Sequence, residues 1–89
     1  MAIYCVNHRV RDFTEWKKTY DKHQPWIRQQ GVKDHFVLQS PDDPNHVVVI
    51  GEGSVEDLQA LFSSDDLKGA MAEAGVDGVP DIFIGEDRS

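Results

Sequence analysis

The sequence predicts an α+β domain in the order strand, helix, strand, strand, helix, strand. This is the ferredoxin-like βαββαβ arrangement, a four-stranded antiparallel sheet with two helices on one face. Three observations carry that reading. Four short segments are rich in Val, Ile and Phe, and two longer ones repeat apolar residues at three- and four-residue spacing. The middle strands are joined by Pro41-Asp42-Asp43-Pro44-Asn45, dense turn chemistry that suits an antiparallel hairpin. The 89 residues make one domain, 1–89, and 23 of them are Leu, Ile, Val or Phe, above the level that marks disorder.

Ala2 to His8 reads as the first strand and ends at a polar break, Arg9 to Arg11. Asp12-Phe13-Thr14-Glu15 then has the form of a capping box, with Asp12 accepting from the early N–H groups and Glu15 reaching back. Phe13, Trp16, Tyr20, Gln24 and Ile27 share one face of the helix that follows, and Gly31 is its stop. Pro25 lies inside and removes the bond to the Asp21 carbonyl, which predicts a kink over residues 21–25.

Val32 to Ser40 and His46 to Glu52 form the hairpin. Ser54 caps a second helix carrying Leu58, Leu61 and Phe62. Ser63-Ser64-Asp65-Asp66 offers a fresh cap, so this helix breaks there and restarts through Leu67, Ala70, Met71 and Ala74 before Gly75. Val79 to Ile84 is the last strand, and Pro80 marks its beginning or an edge position.

By alternation, Val48 and Ile50 oppose Val47 and Val49; Val32, Phe36 and Leu38 oppose Val37; Ile82 and Ile84 oppose Phe83. A sheet apolar on both faces needs cover on both, and two helices cover one. The second face is expected to pack on another copy of the chain, giving a homodimer, with Val37 and Val49 on the partner-facing side.

Charge and composition exclude several classes. A net charge of −7 argues against nucleic acid or an anionic membrane as partner. Residues 1–33 carry +4 and the remainder −11. Either a basic mouth attracts an anionic ligand, or a basic and an acidic helix lie side by side with solvated outer faces. No apolar run reaches the roughly 18 residues of a membrane span. The N-terminal residues lack a signal peptide's pattern, and the single Cys5 fits a reducing compartment, so a cytoplasmic location is expected.

Three strings carry a resemblance over nearly the whole chain: His8-Arg9-Val10-Arg11-Asp12-Phe13-Thr14-Glu15-Trp16-Lys17, Asp42-Asp43-Pro44-Asn45-His46-Val47, and Ala74-Gly75-Val76 with Pro80-Asp81-Ile82. With the element order, they make the chain resemble the dimeric α/β-barrel proteins of the antibiotic biosynthesis monooxygenase-like superfamily, in its small uncharacterised branch. That superfamily includes cofactor-free monooxygenases, polyketide cyclases and haem-degrading enzymes. The resemblance implies a homodimer with a ligand cavity between sheet and helices in each subunit. Haem-degrading relatives use an Asn on the first strand, which Asn7 matches, but their His and Trp come later in the chain. Here no His follows His46 and no Trp follows Trp26. Monooxygenase relatives oxidise phenolic polyketides with Asn, Trp and Tyr around an apolar cavity, without metal or flavin; Asn7, Trp16 and Tyr20 are the matching residue types.

Among the residues themselves, His8 and His23 stand out. His8 ends the first strand, and His23 lies roughly 50° from the centre of the helical apolar stripe, which lets it reach a pocket. Two imidazoles at one cavity can move a proton at neutral pH, as a phenol oxidation or an aldol cyclisation requires. The bland reading gives His8 a loop carbonyl and makes His23 a helix-flank residue. Trp16 and Tyr20 serve either as core or as ligand surface, and a buried Tyr20 hydroxyl needs a partner. Asn7 alternates with His8 and so shares its pocket only if the strand is bulged. Trp26 falls off the stripe, at a rim or partner contact.

The four histidines lack helical zinc spacing, and no metal or cofactor is expected. Asp81 and Glu52 read as solvated strand-end charges, and Cys5 as an inert thiol. The chain is therefore expected to bind a small apolar or aromatic molecule for cofactor-independent oxidation or cyclisation, with His8 and His23 catalytic and Asn7, Trp16 and Tyr20 binding substrate. The alternative is a non-catalytic ligand-binding or homodimeric assembly module.

Overall fold

The computed structural model describes all 89 residues. The strands are β1 (Ala2–Val10), β2 (Lys33–Gln39), β3 (His46–Gly53) and β4 (Val76–Glu86), and the helices are α1 (Phe13–Gln29), α2 (Val55–Ser63) and α3 (Asp65–Glu73). One antiparallel sheet has the order β2-β3-β1-β4, so the expected βαββαβ topology holds, with the second helix split in two.

Local chemistry sets the element ends. Asp12 accepts from the Glu15 N–H at 3.0 Å and caps α1. The return half of the predicted box does not form, because the Glu15 carboxylate pairs with Lys18 at 3.3 Å instead. α1 runs unbroken past Pro25. It ends where Gly31 takes φ +84°, a conformation that favours glycine, and donates its N–H to the Arg28 carbonyl. Ser64 makes the break between α2 and α3. Its hydroxyl donates to the Leu61 carbonyl at 2.7 Å and accepts from the Leu67 N–H at 3.2 Å, so one side chain closes one helix and opens the next.

The core lies between the sheet and the helices. Tyr4, Val6, Val47 and Val49 face Trp16, Ile27, Leu58, Leu61 and Leu67 across it. Val37, Ile82 and Ile84 are half-buried against the same core. The expected placement of Val37 and Val49 on the partner-facing side is therefore corrected: both point toward the helices. The predicted grouping of Val32 with Phe36 and Leu38 also fails, because a β-bulge intervenes. Asp34 pairs with Gly51 and Phe36 with the adjacent Ile50, so an extra residue in β2 reverses its parity. Val32 is buried with the core, while Phe36 and Leu38 remain 60% and 48% exposed on the outer face.

That outer face carries an apolar row across all four strands, Phe36–Ile50–Cys5–Phe83, each residue paired with the next. β4 starts earlier than predicted and holds a second irregularity. Its register steps from Asn7↔Asp81 to Arg9↔Asp77, and Gly78, at φ +77°, and Pro80 sit in the extra length. β4 is an edge strand, which tolerates the missing Pro80 N–H. The charge asymmetry is met by α1 lying beside α3, where Lys22 and His23 both contact Glu73, at 3.0 and 3.3 Å.

Candidate functional site: an apolar cleft with buried His8 and Asp34

A cleft opens between the sheet and the helices. Its cavity volume is about 70 Å3, and its mouth is open to solvent. Val6 and Val49 contribute from the sheet, and Leu61, Phe62, Leu67 and Met71 from the helices. The polar residues among the sixteen that line it are His8, His23 and Asp34, and Tyr4 and Tyr20 also carry hydroxyls.

His8 is placed by strand alternation: β1 buries its even-numbered positions, and His8 follows Tyr4 and Val6 inward. It is only 6% exposed and packs edge-on against Trp16, ring centroids 5.5 Å apart. Burial lowers its pKa below the ordinary 6.5; the Val6 and Val47 carbonyls oppose that shift, and the nearby His46 adds to it. Burial thus favours the neutral ring, the form that can accept a proton. Its Nδ1 is buried without a hydrogen-bond partner.

Trp16 stacks in turn on Tyr20, with centroids 4.8 Å apart and an interplanar angle of 21°. The four-residue spacing of α1 produces this stack. The Tyr20 hydroxyl donates to Asp34 Oδ2, and Gln24 Nε2 donates to the same oxygen at 3.0 Å. Tyr20 is pushed up to about 12, by burial first and by Asp21 second. Burial likewise pushes Asp34 up to about 6, with His35 pulling slightly the other way. The two donated bonds also oppose the rise, since each is worth more to a carboxylate than to a carboxylic acid. Asp34 Oδ1 remains buried and unpaired.

Of the residues expected at the site, His8, Trp16, Tyr20 and His23 line this cleft. His23 sits toward its rim, with Nε2 3.3 Å from Glu73 and a quarter of its side chain exposed. Asn7 is not among them. The alternation of β1 is uninterrupted, so Asn7 lies on the outer face, where its Oδ1 is 2.7 Å from His46 Nε2. The extra residues that distort this part of the sheet belong to β4, not β1. Glu52 also faces outward, 2.8 Å from His35. Trp26 is half-buried and borders two further grooves beside the helices. No three His, Cys, Asp or Glu side chains converge as a metal site would require. No helix is long and apolar enough to cross a membrane.

Asp34 was missed from sequence. Between Lys33 and His35 it reads as a solvated charge. The available signal was indirect: Tyr20 and Gln24 bring two polar groups onto the buried stripe of α1, and these demand a polar partner across the interface.

A family model described as a domain of unknown function, DUF3764, matches residues 6–84. The chain belongs to that family. No curated protein matches it in sequence. Solved structures that resemble this DUF3764 member include SnoaB, a cofactor-independent oxygenase from Streptomyces nogalater. That match has 13% identity over 99% of this chain and 93% of the other, with a TM-score of 0.79. A conserved protein from Methanosarcina mazei Go1 matches at 19% identity over 99% and 94% of the two chains, with a TM-score of 0.75. An antibiotic biosynthesis monooxygenase matches at 13% identity over 100% of both chains, also at 0.75. At these identities the likeness concerns the fold: the DUF3764 chain has that of the antibiotic biosynthesis monooxygenase-like superfamily, as its sequence strings implied.

Proposed function

We propose that this DUF3764 protein is a homodimeric, cofactor-independent oxygenase of a small phenolic molecule, with one cleft per subunit. The observation that carries the reading is a buried His8 set edge-on to the Trp16–Tyr20 stack inside an apolar cleft. The shared fold with SnoaB supports it. The apolar row on the outer face supports the dimer, since it leaves Phe36 and Phe83 60% and 69% exposed in one chain.

The chemistry balances without a further reductant. His8 takes the phenolic proton, and the electron-rich phenolate ring passes electrons to O2. A C–O bond forms at the ring, the O–O bond breaks, and the ring C–H proton and the His8 proton leave on the second oxygen as water. A phenol and O2 thus give a quinone and water, with four electrons moved from ring to oxygen. Trp16 and Tyr20 offer a flat face to the ring. His23, at the rim beside Glu73, exchanges protons between cleft and solvent.

The test is oxygen uptake with a panel of phenols, comparing the native protein with His8→Phe. The expected result is uptake with quinone absorbance, reduced roughly 10²- to 10⁴-fold in the variant, the usual contribution of a positioned base. Phenols that bind without oxygen uptake or any product would make the protein a binding module. A new product without uptake would make it a cyclase.

A further inference from the structure

We infer that Asp34 is a positioning residue: its carboxylate, acting through the Tyr20 hydroxyl, fixes the Trp16–Tyr20 stack that walls the cleft, and so sets where a bound ring lies relative to His8. The effect on turnover rests on the oxygenase reading above; the tether itself does not. Trp16 and Ile27 are buried, but Tyr20 and Gln24, between them on the same stripe of α1, are only half-buried. Apolar burial thus grips the helix less firmly at its middle. There two side chains converge on one atom: the Tyr20 hydroxyl and Gln24 Nε2, the latter at 3.0 Å, both donate to Asp34 Oδ2. No other side-chain hydrogen bonds join α1 to the sheet. Tyr20 stacks on Trp16, with centroids 4.8 Å apart, and Trp16 meets the His8 ring at 5.5 Å. Asp34, Tyr20, Trp16 and His8 all line the cleft, so a shift of Tyr20 passes along its wall to the imidazole.

Charge makes the tether tight. Bonds to a carboxylate are roughly twice as strong as bonds between neutral groups, so proton uptake slackens the tether without removing the acceptor. Burial brings that change within ordinary pH, since it pushes Asp34 up to about 6. Lys33 and His35 flank Asp34 in β2; His35 pulls the other way and is itself 2.8 Å from Glu52. Gly51, across from Asp34 on β3, carries no charge. On the α1 side, Asp21 and Arg28 act on Tyr20 in opposite directions, and Lys17 Nζ stands 5.8 Å from the centre of its ring. His8, His23 and Tyr4 are the remaining titratable groups of the cleft.

Near-UV circular dichroism of the native protein, Asp34→Asn and Asp34→Leu, recorded from pH 8 to pH 5, reads the stack without any ligand. The native aromatic bands are expected to weaken across this range, with a midpoint at about 6. Asp34→Asn keeps an acceptor but no charge, so its bands should stay constant, and those of Asp34→Leu should be weak throughout. Oxygen uptake at pH 8, with the phenol most readily consumed, ties the stack to the chemistry. Asp34→Leu should lower kcat roughly 10²-fold, the cost of misplacing a reactant by about 1 Å, while KM stays within about threefold because the apolar lining is intact. Asp34→Asn should recover most of that loss. Native bands that do not change with pH overturn the inference, and so does a change that persists in Asp34→Asn and therefore belongs to a histidine. A native kcat in Asp34→Leu overturns it as well. If the native protein consumes no oxygen with any phenol, the oxygenase reading falls and the spectra decide the tether. Should Asp34→Leu not fold, the comparison of native protein with Asp34→Asn decides it.

Discussion

Asp34→Asn changes a charge and little else, which makes it the sharpest probe of the cleft. The side chain keeps its size and an oxygen that can accept from Tyr20 and Gln24, and the amide nitrogen takes the place of the unpaired Oδ1. The pKa of Asp34 is raised from 3.8 to about 6 in the folded protein, so its ionisation favours the unfolded chain. Below pH 4 both states are protonated and nothing is lost. Between pH 4 and 6 the unfolded chain releases its proton first and stability falls; above pH 6 the penalty is complete and constant. A rise of this size corresponds to about 3 kcal/mol at full weight. Asp34 is only part-buried and two bonds stabilise its charge, so screening by solvent halves the figure to about 1.5 kcal/mol. The amide removes that penalty at high pH only. Thermal unfolding should therefore place Asp34→Asn roughly 6–12 °C above the native protein at pH 8, with the two converging by pH 4. Taking the difference at each pH cancels every other titrating group. An advantage of equal size at both pH values, or a variant less stable at pH 8, refutes the account of Asp34 as a buried, destabilising carboxylate.

Other perturbations test other links. Gly51→Ala should cost about 1–3 kcal/mol in denaturant unfolding, because its Cβ would stand 2.5 Å from the Lys33 carbonyl and collide with the Tyr4 ring; an unchanged midpoint would mean that ring moves freely. Ser64→Ala should cost about 1 kcal/mol by the same measurement, since one hydroxyl serves two helix ends, and a loss near zero would show that water replaces it. Phe36→Lys with Phe83→Lys should convert a native-mass dimer into a folded monomer, whereas an unaltered dimer would move the interface off the exposed sheet face. His23→Ala should lower turnover while leaving ring binding within about twofold, and a drop in affinity instead would make His23 a wall of the cleft rather than a proton outlet.

Most of the fold was legible because local signals agreed with one another. Capping at Asp12 and Ser64, glycine stops at Gly31 and Gly75, and period-two alternation in β3 each point to the same arrangement. What was not legible depended on single-residue register. The bulge between Asp34 and Phe36 leaves no composition mark, yet it turns Val32 and Asp34 inward and Phe36 and Leu38 outward. Reading β2 as an unbroken alternation therefore grouped Val32 with Phe36 and Leu38 and set Val37 on the wrong side, because the side chain's face is decided by parity alone.

The same bulge explains why half of the cleft was foreseen and half was not. His8, Trp16 and Tyr20 lie on elements whose periodicity is undisturbed, so their convergence follows from alternation in β1 and the four-residue step in α1. Asp34 reaches the cleft through an irregularity, and without it an ordinary strand would carry that carboxylate on the face with Phe36. A buried acid whose ionisation destabilises the fold is a cost that packing alone gives no reason to keep. Its place is set instead by the donors across from it: the Tyr20 hydroxyl and the Gln24 amide lie on the buried stripe of α1, and without an acceptor there both would be left unpaired.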